Sequence, residues 1–453
     1  MGSLRRTDPL VRSDQVGPRP GERRRPYLET LNLYRVLACA AVVANHAFIW
    51  SNMSTNVVGT GFITILHLSR CTFFFLSGLV VVYSQLAHPR ALREFWKRRY
   101  VQLGVPYLAW TAIYLVFALI TISAAWDEVG RFLRHNILLG YSQLYAASVI
   151  FQFYLVAPAL LWLLRSTRRH SAIMAVSLLF AFFLDYTLLY PSWFPALAGV
   201  ERAINSVLPW GRSLLTYQEF FVAGALVAVH FDEVSAFVSR YQWRIVGLGA
   251  AIGGLTVLWY AVLVDTGTSL GTASNPVQAP AVIWFFAAIA AMFALSQWWE
   301  QRRRVPSGSV PRLGVTTCAG LAALTGGVWF CHNLFLTSLR TLLETIGVWG
   351  RLPWEAIVPI LFVVTVVVSV AFVSLVLRTP LRWVLGGPVR AEQRAEYTQD
   401  LARPSPVPLR PIIEPPTTEP PTTEPPRPVT EGEPYTAVGV DGDRAIGGHR
   451  HGP

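Results

Sequence analysis

Ten runs of mostly apolar residues follow one another along this chain, near 31–50, 66–86, 101–123, 143–165, 171–190, 213–231, 244–264, 279–298, 317–339 and 355–377. Each is close to the ~20 residues an α-helix needs to cross ~30 Å of hydrocarbon. A backbone in lipid finds no water to bond, so each run must pair its own donors and acceptors, which a helix does. Composition agrees: 53% of the 453 residues are hydrophobic and 14% are charged, against roughly 25% charged in soluble domains. One water-soluble core could not hide so much apolar surface. The predicted fold is all-α, a polytopic membrane helix bundle of about ten transmembrane helices.

A formal net charge of +12 invites a nucleic-acid reading, but the placement of the cations argues against it. They cluster in short loops between the apolar runs, in "HPRALREFWKRR", "RSTRRH" and "EQRRRVPSGSVPR", whereas loop 265–278 has no Lys or Arg. This asymmetry is the positive-inside pattern, and it puts both termini in the cytoplasm. Residues 1–26 form a basic, disordered N-terminal segment without the h-region or cleavage site of a signal peptide, so the first span is expected to be retained. The membrane domain covers 27–385. From 386 to 453 the chain turns Pro-rich, with the repeat "EPPTTEPPTTEPPRP", and too little apolar surface remains to fold; a disordered cytoplasmic tail is expected. The four cysteines fall inside apolar runs and suggest small core residues rather than disulfides. High Arg, Ala, Val and Trp usage with almost no Lys suggests a GC-rich bacterial genome, hence a multi-pass protein of the bacterial cytoplasmic membrane.

The residues that do not belong in lipid carry the functional signal. In "YRVLACAAVVANHAFIW" (34–50), Arg35 and His46 are eleven residues apart. At ~100° per residue that is three turns plus about 20°, so both lie on one helix face, ~16 Å apart along the axis. Snorkelling would account for Arg35 alone, and core packing for His46 alone. An intramembrane pair on one face leans functional. Asn45 adjoins the histidine. The second run, "LHLSRCTFFFLSGLVVVYS", adds Arg70 and Ser77 on one face and His67 in the same half; Ser77-Gly78 alone would read as a close-packing device.

Lys97, Arg98 and Arg99 open the third run in "FWKRRYVQLGVPY", either as a membrane anchor or as a clamp for phosphates. His332, beside Asn333 in "LTGGVWFCHNLFL", marks the ninth run. There is no Walker A motif, no dinucleotide fingerprint, no Cys/His metal spacing and no G-x-S-x-G elbow, so no bound cofactor or metal is expected. Acids within the runs are few, chiefly Asp185 and Glu219, which weighs against a proton-driven transporter.

Taken in order, the first-run Arg followed by His, "FF-x-x-SG" in the second, the basic cluster before "P-Y" in the third, "QFYLVAPALLWLL" (152–164) in the fourth and "WFCH" (329–332) in the ninth resemble the acyltransferase-3 family of integral membrane O-acyltransferases. The resemblance covers roughly 27–385. It implies transfer of an acyl group, often acetyl, from cytoplasmic acyl-CoA as co-substrate to a hydroxyl of an extracytoplasmic glycan, glycolipid or related envelope molecule. By position it makes His46 the catalytic histidine and Arg35 its partner. Arg98 and Arg99 would stand at the donor mouth. From the residues themselves, Lys97 is a further donor-binding candidate, and Asn45, Arg70, Ser77 and His332 are candidates for lining the acceptor site or a cavity. Two departures stand out: Gln102 occupies the place of the second arginine in the family's Arg-x-x-Arg, and "SQLY" places Gln143 near where relatives often carry His.

Histidine is the side chain suited to deprotonate an alcohol near neutral pH, which agrees with His46 as a base. Two other readings stay open: an exporter or flippase of glycan or lipid with the same polar face lining a pathway, and a scaffold acting through the Pro-rich tail.

Overall fold

Runs of apolar residues with scattered small side chains fold here as continuous helices. The computed structural model describes residues 28–385 except 88, 123–129, 131–135 and 305–311, and among the described residues there is no strand. The basic segment 1–26 and the Pro-rich segment 386–453 lie outside the described residues. The main helices are α1 (Leu31–Trp50), α2 (Val57–Leu66), α3 (Leu68–Ala87), α4 (Leu92–Ile122), α5 (Tyr145–Leu163), α6 (His170–Leu189), α7 (Ala198–Val207), α8 (Gln218–Val229), α9 (Phe231–Asp265), α10 (Ala279–Arg304), α11 (Arg312–Thr345) and α12 (Trp354–Val376).

Nine helical segments among the described residues are long and apolar enough to cross a membrane, with α2 and α3 counted as one. Their outward faces carry bare apolar side chains such as Ile120 (76% exposed), Leu179 (70%) and Val367 (61%). In water such faces would be an aggregation hazard, and lipid covers them at no cost. The protein is a multi-pass membrane protein.

The expected sixth span, 213–231, departs from this pattern. Ser213 to Tyr217 turn as a short 3₁₀ segment, with the Ser213 hydroxyl accepting from Leu215 N, and only Gln218–Val229 is α-helical. Twelve residues give ~18 Å of helix, well short of the hydrocarbon thickness. The apolar content of that run instead serves burial inside the bundle: Phe220, Phe221, Ala225 and Ala228 are all at most 2% exposed. Helix α4 also begins nine residues before the expected 101, so the basic triplet rides on a helix rather than a loop. In α9, the helix breaks at Tyr241 (φ −115°, ψ 18°), just before the expected span 244–264; Arg240 and Arg244 both lie against the Tyr241 ring.

Helices α3 and α8 pack backbone to backbone. A Cβ at Gly78 would lie 2.1 Å from the carbonyl oxygen of Phe221, and one at Gly224 would lie 2.0 Å from that of Phe75. Glycine on both sides permits the approach. Above this contact Phe153 of α5 stacks on Phe221 with centroids 4.3 Å apart. Helix α1 packs against α11, where the Cys39 thiol points at the Thr325 carbonyl. All four cysteines are buried as free thiols.

The chain reverses between successive spans, so residues near 31, 90, 168 and 303 share one end of the bundle and those near 50, 187, 212, 276 and 340 the other. At the first end, rich in arginine, Arg303 pairs with both Glu300 and Glu29 and so ties the entry of α1 to the exit of α10.

Candidate active site

Two histidines 286 residues apart meet at the second end. Nδ1 of His46, on α1, lies 2.8 Å from Nε2 of His332, on α11, and the rings stack with centroids 5.0 Å apart at 19°. The proton positions follow from the partners. Nδ1 of His332 faces only the carbonyl oxygens of Val328 (3.1 Å) and Trp329 (2.9 Å), so it must carry the proton and donate. In a neutral ring, Nε2 of His332 is then bare and accepts from the Nδ1–H of His46. His46 is left with its lone pair on Nε2, an atom without a hydrogen-bond partner among the described residues. A carbonyl-anchored histidine that fixes the tautomer of a second histidine is the orienting logic of a base pair.

The surroundings hold this arrangement rigid. His332 is fully buried and Asn333 is 3% exposed. Asn333 accepts from the Trp50 indole N–H at 2.7 Å and donates to the Ser142 hydroxyl at 2.8 Å, joining α1, α11 and the turn before α5. Ser142 adopts φ 47°, a left-handed conformation that aims its hydroxyl at the amide. Next to it, Gln143 Nε2 donates to the Phe330 carbonyl at 3.1 Å and meets the Tyr114 hydroxyl, which itself donates to Phe330 O at 2.9 Å. Gln143, the departure in "SQLY", is thus buried as a brace on the backbone of "WFCH". Beyond the histidines, Arg340 lies between the rings of Trp50 and Trp349, 5.6 and 5.1 Å from their centroids.

Arg70, at the start of α3, donates to Nδ1 of His67 at 2.5 Å and to the Tyr217 hydroxyl at 3.2 Å. His67, which Arg70 holds, lies at the junction of α2 and α3, and both helices pack against α1, the helix of His46. His46 and His332 therefore come together, and Arg70 joins His67 and Tyr217. Asn45 is buried beside His46 but on an adjacent face, and its Oδ1 has no hydrogen-bond partner among the described residues.

The remaining candidates lie apart. Ser77 sits two turns along α3 from Arg70, next to the Gly78 contact. Arg35 is half-buried three turns from His46, toward the arginine-rich end. At that end Lys97 and Arg98 are exposed, while Arg99 turns inward, donating to the Ser84 hydroxyl at 2.5 Å and lying 5.9 Å from the centroid of the Tyr154 ring. Gln102, one turn on, is exposed. Sequence reading did not single out Tyr114, Ser142 or Trp50 as part of the site. Their only signal was the aromatic and polar character of residues at span ends.

A helix bundle with nine membrane-length segments among the described residues, and a histidine pair joining α1 to α11 within it, defines an integral membrane protein. The acyltransferase domain model of the acyltransferase-3 family matches residues 28–376, and the chain belongs to that family. In general terms it is a membrane acyltransferase. No curated protein and no solved structure matches the chain.

Proposed function

We propose that the protein transfers an acyl group, acetyl in the simplest case, from acyl-CoA reaching the arginine-rich end to a hydroxyl of an envelope glycan or glycolipid reaching the His46 end. The arginine-rich end faces the cytoplasm, by the excess of cations in its loops. Nε2 of His46 takes the proton of the acceptor hydroxyl as its oxygen attacks the thioester carbonyl. The C–O bond forms, the C–S bond breaks, and the departing CoA thiolate takes the proton from His46. The imidazolium formed in between keeps its Nδ1–H on His332 Nε2, which spreads the charge without moving either ring.

The observation that carries this reading is the hydrogen bond from His46 Nδ1 to His332 Nε2, with His332 held by two carbonyls. An exporter lining would not need one imidazole to fix the tautomer of another. Arg99, held by Ser84 and Tyr154, is the cation we assign to the donor's phosphates, with exposed Lys97 and Arg98 drawing the donor in. Arg35, one turn into α1 at the arginine-rich end and on the His46 face, supplies a fixed positive charge along the path of the acyl chain carrier. The test is reconstitution in liposomes with acyl-CoA and an envelope extract. The proposal expects free CoA and acylated acceptor to appear together, and both to vanish in His46→Ala. Acceptor crossing the bilayer without CoA release would favour the exporter.

A further inference from the structure

A separate cavity of about 290 Å³ opens at the His46 end between α3, α6, α8 and the loops 210–217 and 275–277. Its size is near the lower limit of small-molecule sites, ~300 Å³. Arg70 and Tyr217 form its wall toward the histidines, Asp185 and Glu219 reach it from α6 and α8, and Trp210 and Phe285 supply aromatic surface. Glu219 is 1% exposed, yet its Oε2 has no hydrogen-bond partner among the described residues; neither has the indole N–H of Trp210. A buried acceptor and a buried donor left open in one cavity call for a hydrogen-bonding partner. Glu219 also lies in the first turn of α8, where the helix dipole favours a negative acceptor.

The cavity is held firmly. Gln152 of α5 donates to Arg212 O at 2.8 Å and accepts from Leu214 N at 2.9 Å, and the Thr216 hydroxyl donates to Trp210 O at 2.7 Å. These bonds fix the loop that carries Trp210, so the open indole N–H is not a consequence of a loose loop.

The open hydrogen-bonding groups select the ligand class, since an acceptor at Glu219 and a donor at Trp210 both await a partner. A neutral hydroxyl group both donates and accepts, so adjacent hydroxyls can give hydrogen to Glu219 and take one from Trp210, while C–H faces of a ring lie on Phe285 and Phe220. We infer that this cavity is a binding site for one neutral, polyhydroxylated ring, with Glu219 and Trp210 as its specificity-determining residues. The inference rests on the transfer reading above only in naming the ring as part of the acceptor, which Arg70 and His67 would separate from the His46 imidazole by one layer of side chains.

The test needs no acyl donor. The full chain in nanodiscs is titrated with methyl glucoside, methyl galactoside, methyl mannoside and myo-inositol, and with glucosamine and glucuronate as charged counterparts, following thermal stabilisation. At least one neutral probe is expected to give a saturable rise in Tm. Trp210→Phe, a conservative change in a loop, is expected to weaken that probe about tenfold or more, and Glu219→Gln likewise if it folds. His46→Ala keeps the response, so loss of transfer and loss of binding are read separately. No saturable response to any neutral probe, unchanged binding in Trp210→Phe, tighter binding of a charged counterpart, or loss of binding in His46→Ala would each overturn the inference.

Discussion

His46 gains its chemical meaning from a residue 286 positions away. Its own helix sets its depth and face; His332 sets its tautomer. On this account His46→Ala lowers turnover by roughly 10²–10⁴-fold, the usual contribution of a general base. His332→Ala leaves the base present but free to adopt the wrong tautomer, so kcat falls on the order of tenfold or more while the KM for acyl-CoA stays put. Steady-state kinetics of the reconstituted protein separate the two outcomes. At the other end, Arg99→Ala is expected to raise the donor KM more than Lys97→Ala does, because only Arg99 is turned inward and held in place. The Arg35–His46 face was legible from spacing alone, since helix periodicity is local. The His46–His332 bond was not, because nothing in a single sequence pairs two helices so distant in the chain. Arg70 could be singled out as a cation inside an apolar run, but its bonds to His67 and Tyr217 depended on how α8 enters the bundle.

Among the helices, the contact between α3 and α8 sets the scaffold for the cavity and for Arg70. Gly78→Ala and Gly224→Ala each drive a methyl group into a backbone carbonyl, and overpacking of this kind costs about 1–3 kcal/mol or more. Both should lower the thermal midpoint in detergent by several degrees, whereas Gly254→Ala, with open space at its Cβ, should not. Helix existence could be read from the apolar runs because length and hydropathy are summed properties. The sixth run misled for a physical reason: apolar residues can fill a bundle interior as well as face lipid, and Phe220 and Phe221 do the former. The "FF-x-x-SG" stretch likewise reads differently in three dimensions. Its glycine is a helix-packing residue, and its aromatic block supplies Phe74, which lies against Tyr217 with centroids 4.6 Å apart.

For the whole molecule, the proposed transfer between compartments calls for two ends of opposite character: exposed Lys97 and Arg98 with inward-turned Arg99 at one, the histidine pair and a polar cavity at the other. Removing residues 386–453 is expected to leave reconstituted transfer at its full rate, because the family match ends at 376 and the site lies within it; loss of transfer on truncation would instead support a scaffold role for the tail. Topology can be checked independently. A cysteine introduced at Thr268 should react with an impermeant maleimide from outside intact cells, and one at Arg168 should not. The central claim is His46-dependent transfer across these two ends. It is tested most directly by sealed liposomes with labelled acyl-CoA on the arginine-rich side and envelope acceptor on the other. The account predicts label on the acceptor, with stoichiometric CoA on the donor side, in wild type and in neither product with His46→Ala. Equal CoA release and equal acceptor labelling in both proteins would contradict it.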